Sequence, residues 1–164
     1  MDAVISNIEN IAIALGGNIG DVPSTFQKAV TLLKNNDVKG IKLSSLYTNS
    51  AIGCIPETPD FTNAVLTGKW KNSPHKLLLL CRKIETTLGR PENHTSDTSR
   101  VIDLDIILFG SRIIKEYDLR IPHMKAHERL FVLIPLAEIA PDWIFPDKKC
   151  SVHDLLNICR EEKL

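Results

Sequence analysis

Two aspartates one residue apart, Asp103-Leu104-Asp105, lie in an alternating run from Val101 to Phe109 that ends at Gly110. In a strand, residues i and i+2 project from one face, so the carboxylates stand side by side while Leu104 and Ile106 turn toward a core. Adjacent carboxylates repel unless a cation or proton lies between them. Hard oxygen donors at this spacing suit Mg²⁺, which takes one or two carboxylates and fills its shell with substrate phosphates. The pair therefore points to a phosphoryl-type substrate, although an isolated D-x-D is more often a pair of solvated acids on an exposed strand face, so the surrounding residues decide. Cations lie nearby in sequence: Arg90, Arg100, and the run His123, Lys125, His127 and Arg129. Guanidinium forks bind phosphate oxygens bidentately and offset charge that develops during transfer. A zinc-hydrolase reading of His127-Glu128 needs a histidine at 131, and that residue is Phe131.

These residues must be held by a small set of elements. Ile11 to Leu15 reads as a buried strand running into the turn Gly16-Gly17-Asn18-Ile19-Gly20-Asp21. That turn is neither G-x-G-x-x-G nor a P-loop. Phe26, Ala29, Val30 and Leu33 form one helical face, ended by Asn35-Asn36-Asp37 and Gly40. Ile41 to Tyr47 is expected as a second strand, Asn49 to Asp60 as a loop, and Phe61 to Trp70 as a third strand. Ser73-Pro74 starts a helix with the stripe Leu77, Cys81, Ile84 and Leu88, stopped by Gly89. Short strands are expected at 112–115 and 118–121, beside the aspartate strand. Ser151 and Asp154 open a last helix that buries Val152, Leu155, Leu156 and Cys159. The order βαββα followed by more strands predicts an α+β sandwich, with helices on a mainly antiparallel sheet.

Composition narrows the function classes. The 164 residues hold 20 Lys plus Arg against 20 Asp plus Glu, for a net charge of zero. A globally basic nucleic-acid clamp is thereby disfavoured, and partners must be recognised locally. With 43% hydrophobic and 24% charged residues the chain can bury a core. A single domain over 11–164 is expected after a polar leader at 1–10, with no membrane span and no secretory signal, in the cytoplasm and as a monomer. Cysteines 54, 81, 150 and 159 show no metal-ligand rhythm, so reduced and mostly buried thiols are expected.

Taken in order, the segments resemble the 6-hydroxymethyl-7,8-dihydropterin pyrophosphokinase family. The resemblance runs through 14–21, Ser44 to Tyr47, Pro59 to Val65, Ile84-Glu85 with Leu88-Gly89-Arg90, Arg100 to Gly110, Ile121-Pro122-His123 with His127-Glu128-Arg129, and Phe131 to Asp142. It implies a ferredoxin-like α+β fold and transfer of pyrophosphate from MgATP to a pterin hydroxymethyl group, releasing AMP, in folate biosynthesis. A non-catalytic pterin- or nucleotide-binding protein on the same fold is the alternative. Carried over residue by residue, the resemblance implies that Asp103 and Asp105 hold two Mg²⁺ ions, and that Arg90 and Arg100 act with them in catalysis. It implies that Arg90, Arg100, His123 and Arg129 contact the ATP phosphates, with Glu85 on the nucleotide side. On the pterin side it implies that Phe61 and Phe131 sandwich the ring and Asn63 hydrogen-bonds its edge. Backbone groups of Asn49, Ser50, Ile52 and Gly53 would read the rest. A flat polar ring gains from two aromatic faces and an amide partner, while a polyphosphate needs metal and arginine. This chain departs from the family at 91–99, which holds no Lys or Arg, so weaker or different loop closure over ATP is expected. Gly17, where the family often has Ser, and Met124, where an aromatic can occur, are milder departures.

Overall fold

The computed structural model describes residues 7–49, 59–89 and 100–163. Its first half runs β1 (Glu9–Gly17), α1 (Val22–Asn35), β2 (Lys39–Leu43), β3 (Tyr47–Asn49), β4 (Phe61–Trp70), α2 (Pro74–Thr87) and β5 (Asp103–Phe109). The main sheet has the order β2-β4-β1-β5, with β3 pairing the start of β4, and all its pairs are antiparallel. This is the split β-α-β order of a ferredoxin-like sandwich, as expected from the sequence.

Local chemistry sets the helix boundaries. The Asp21 side chain accepts from Ser24 N at 3.1 Å to open α1, and Ser73 Oγ accepts from Lys76 N at 3.2 Å to open α2, with Pro74 in its first turn. Gly89 follows α2 at φ 108°, a left-handed conformation that suits glycine. The apolar faces of α1 and α2 cover one face of the sheet, where Phe26, Leu33, Leu77 and Ile84 pack with Ile11, Ile13, Leu104 and Ile106.

The other face is covered by α3 (Leu130–Ile139) and α4 (Val152–Glu162), which pack on Ala12, Val65, Ile107 and Leu108. Helix α3 has no counterpart in the sequence reading. Its residues are almost all apolar and it carries an internal Pro135, so it shows no single amphipathic stripe. Helix α4 opens where expected, with Ser151 Oγ accepting from Asp154 N at 3.1 Å.

Two strand expectations need correction. The expected strand from Ile41 to Tyr47 is two strands, because Ser44 interrupts it. Ser44 N donates to Val65 O and Ser44 Oγ accepts from Val65 N, both at 2.9 Å, so a side chain replaces a backbone carbonyl in the ladder. The short strands near 112–121 are β6 (Ile114–Lys115) and β7 (Arg120–Ile121), which pair with each other as a separate hairpin. A second small hairpin joins β8 (Ile144–Phe145) and β9 (Cys150–Ser151). Strand β1 begins at Glu9, inside the expected 1–10 leader. Of the cysteines, Cys81 and Cys159 are buried free thiols and Cys150 is a half-buried one, while Cys54 lies outside the described residues.

Candidate active site

Helices α3 and α4 leave part of their sheet face uncovered, over the end of β1 where Ala14 and Gly16 carry little or no side chain. Strand register brings the sides of this opening together. Gly16 is opposite Asn63 of β4 and also opposite Asp103 of β5, and Ala14 is opposite Asp105. Residues paired across antiparallel strands share a face, so Asn63, Gly16 and Asp103 form a row across three strands. The resulting cavity, about 450 Å³, is lined among the described residues by Asn49, Phe61, Asn63, Arg100, Asp103, Asp105, His123, Arg129 and Phe131 together with Ala14, Leu15, Gly16, Ile107 and Val132. Nine of the residues singled out from the sequence thus meet in one place, within the usual size range of small-molecule sites.

Each side chain has an identifiable support. Asn63 is buried, and its Nδ2 donates to Tyr47 O at 3.2 Å and to Asn49 Oδ1. With its NH₂ turned to β3, the Asn63 amide oxygen lies 3.3 Å from where a Cβ on Gly16 would sit, so glycine makes room for it. Arg100 Nη1 donates to Asp103 Oδ2 at 2.6 Å, and its guanidinium lies 5.7 Å from the centroid of the Phe61 ring. The Arg129 guanidinium lies 5.5 Å from the Phe131 centroid. Both aromatic residues of the cavity therefore carry a cation against the ring, a favourable contact that also restricts the rotamers of each.

Asp103 and Asp105 share the cavity face while Leu104 and Ile106 are buried on the other, as the alternation predicts. Two carboxylates on one strand face, lining a cavity with Arg100 and Arg129, are a donor set that fits Mg²⁺. The segment carrying His123 follows the cis Ile121–Pro122 peptide and is tied to β5 by His123 N donating to Ile107 O at 3.1 Å. Burial holds the His123 imidazole below its ordinary pKa; Arg129 and Lys125 act in the same direction and Asp105 opposes them.

A second groove adjoins the first at Asp105. Its lining includes Leu78, Arg82, Ile106, Leu119 and Arg120, and it shares Asp105, His123 and Arg129 with the first cavity. These three polar residues thus line both the cavity and the groove.

Glu85 does not line the main cavity; its Oε2 accepts from Leu104 N at 2.7 Å. Arg90, Ser50, Ile52 and Gly53, and the cation-poor segment 91–99, lie outside the described residues. Sequence reasoning missed Asn18. It is buried, donates from Nδ2 to Pro59 O at 3.0 Å, and accepts at Oδ1 from Arg100 N at 2.8 Å. The only signal was its place in the Gly-rich turn after β1.

A ferredoxin-like domain that gathers paired carboxylates, arginines and two aromatic rings around one cavity has the make-up of a transferase for small phosphorylated compounds. The family model for 7,8-dihydro-6-hydroxymethylpterin-pyrophosphokinase matches residues 12–141, and the chain belongs to that family. It is 41% identical over 147 residues to the 2-amino-4-hydroxy-6-hydroxymethyldihydropteridine pyrophosphokinase of Synechocystis, an alignment that covers 88% of this chain and 73% of that one. It is 40% identical over 134 residues to the Bacillus subtilis protein of the same name, covering 80% of this chain and 79% of the relative. Against the folate synthesis bifunctional protein of Arabidopsis thaliana it is 37% identical over 134 residues, covering 82% of this chain but only 28% of that longer one. The fold is similar to that of a solved Plasmodium falciparum HPPK-DHPS triple mutant, with a TM-score of 0.70 at 14% identity, covering 96% of this chain and 45% of the other.

Proposed function

We propose that this protein transfers the pyrophosphoryl group of ATP to the hydroxymethyl oxygen of 6-hydroxymethyl-7,8-dihydropterin and releases AMP, the step in folate biosynthesis for which its family is named. The observation that carries this reading is the meeting of Phe61, Phe131 and Asn63 with Asp103, Asp105 and Arg100 in one cavity. The aromatic and amide side would take the pterin, and the groove beyond Asp105, His123 and Arg129 would take the nucleotide.

In this arrangement Phe61 and Phe131 hold the ring by its faces, and Asn63 presents a fixed amide to its polar edge. The pterin oxygen approaches the β-phosphorus in line, the bond from that phosphorus to the oxygen of AMP breaks, and the hydroxyl proton passes to solvent. Asp103 and Asp105 would hold Mg²⁺, for which two ions are proposed, and the metal supplies neutralisation of phosphate charge when bound. Arg100 and Arg129 orient phosphate oxygens through their forks. His123, whose pKa is lowered by burial, is placed to donate a hydrogen bond to a phosphate oxygen. Most of the rate enhancement then comes from positioning and electrostatics. Arg90, with the backbone of Ser50, Ile52 and Gly53, is proposed to complete the two subsites.

Free thiols at Cys81, Cys150 and Cys159 support work in a reducing compartment, for which the cytoplasm is proposed. Among the described residues no helix is long and apolar enough to cross a membrane. A monomer acting on small molecules, with no nucleic-acid partner, is the proposed working form.

The test is product identity. With MgATP and 6-hydroxymethyl-7,8-dihydropterin, AMP must appear in equal amount with the pterin diphosphate. Formation of ADP would assign an ordinary kinase instead, and binding of both substrates without turnover would assign a binding protein.

A further inference from the structure

Among the described residues strand β5 is at the edge of the main sheet, paired there with β1. Amides of an edge strand that point away from its one neighbour have no ladder partner. One of these belongs to Leu104, the residue between Asp103 and Asp105, and the Glu85 carboxylate of α2 meets it at 2.7 Å. The Leu104 side chain is buried beneath, in the cluster that holds Leu80, Cys81 and Ile84 of α2. On the opposite edge the same stretch is registered on β1, Asp103 against Gly16 and Asp105 against Ala14. The stretch carrying the two aspartates is therefore held from both sides, by a ladder on one and by the Glu85 carboxylate on the other.

We propose that Glu85 is a positioning residue: by accepting from Leu104 N, it fixes the backbone between Asp103 and Asp105 and so sets how the two carboxylates face the cavity. This role is additional to the nucleotide-side contact implied by the family resemblance, and it rests on the proposed transfer reaction only for what the aspartates then do. A hydrogen bond to an ionised acceptor is stronger than a neutral one and directional. Rotation of the peptide plane at Leu104 would swing the carboxylates on both sides of it.

The experiment uses the full chain with Glu85→Gln and Glu85→Ala. Glutamine keeps an acceptor oxygen and removes the charge; alanine removes both. Two measurements are made: hydrogen exchange of the Leu104 amide by NMR without ligands, and the Mg²⁺ concentration for half-maximal AMP formation. The expected result for Glu85→Ala is exchange faster by about tenfold or more and a Mg²⁺ requirement raised by about tenfold, with pterin affinity within about twofold of the parent. Glu85→Gln is expected to bring both within about threefold of the parent. Unchanged Leu104 exchange in Glu85→Ala, or a Mg²⁺ requirement in Glu85→Gln as high as in Glu85→Ala, would overturn the proposal. If the alanine variant does not fold, glutamine decides alone: loss of Leu104 protection or a tenfold rise in Mg²⁺ requirement counts against it, and retention of both supports it. A parent protein that forms no AMP would remove the transfer reading, while the exchange measurement would still decide whether Glu85 holds the strand.

Discussion

Asn18 and Arg100 are joined twice through the backbone of Arg100: Asn18 N donates to Arg100 O at 3.0 Å, and Arg100 N donates to Asn18 Oδ1 at 2.8 Å. The other end of the same Asn18 amide donates to Pro59 O. One buried side chain thus fastens the residue that enters the aspartate strand to the segment that leads into β4. Through Arg100 its influence reaches Asp103 by the 2.6 Å ion pair and Phe61 by the guanidinium contact.

Replacing Asn18 by alanine leaves Pro59 O and Arg100 N without their side-chain partner. A loss of about 2 kcal/mol in unfolding free energy is expected, read by denaturant titration. Turnover should fall with it, because Arg100 loses one of the two hydrogen bonds that hold its backbone. Asn18→Asp keeps the acceptor for Arg100 N and loses the donor to Pro59, so an intermediate loss is expected; equal losses in the two variants would contradict this division of roles.

Asp105 is exposed on the cavity face, so Asp105→Ala should abolish AMP formation while the melting temperature stays level or rises. Like charges on one strand face repel, and removing one relieves the pair. Arg100 is different: its side chain is 12% exposed and paired with Asp103. Arg100→Lys keeps charge but not the planar fork, and a loss of about tenfold or more in kcat is expected. Turnover by Asp105→Ala at the parent rate would remove the metal assignment.

A Cβ on Gly17 would stand 2.5 Å from Val101 O. Gly17→Ala must therefore push back the segment between Arg100 and Asp103, and a cost of about 1–3 kcal/mol is expected, as for other overpacked sites. Gly17→Ser, the residue common at this position in the family, should cost at least as much here. Thermal melts of the two variants test it; wild-type stability in both would show that residues 100–101 yield without penalty.

His123 titrates below its ordinary pKa in the folded chain, with burial as the main cause. The unfolded chain then binds the extra proton first. Between the folded pKa and about 6.5, stability rises with pH; it is fully present above the unfolded value and is lost as pH falls through that window. His123→Gln should flatten this part of the stability profile in the metal-free protein. A slope that persists unchanged in the variant would assign it to another group.

The sequence pattern foretold the elements whose signals are local. The Ser73-Pro74 start of α2, the Asp103-Leu104-Asp105 alternation and the capped start of α4 all depend on neighbours in the chain, and all form as read. Elements decided by distant partners were not legible in this way. Ser44 breaks a strand because Val65 takes its hydroxyl into the ladder, and the almost entirely apolar Leu130–Ile139 becomes a helix because the sheet and α4 bury it from two sides. The site followed the same rule. Its acids, cations and rings were identifiable by type, whereas the role of Asn18 depends on backbone groups at positions 59 and 100, which no spacing rule connects to position 18.

The row Asn63, Gly16, Asp103 also acts as a gauge. Two interstrand intervals of about 4.8 Å each separate the Asn63 backbone from that of Asp103. Backbone hydrogen bonds fix that span, so it cannot be tuned by swapping rotamers. An acceptor whose hydroxyl lies one bond nearer to or farther from its ring would meet the phosphate out of line. On the proposed reaction, selection by acceptor length would then follow from the pairing register, separately from any group that recognises the ring.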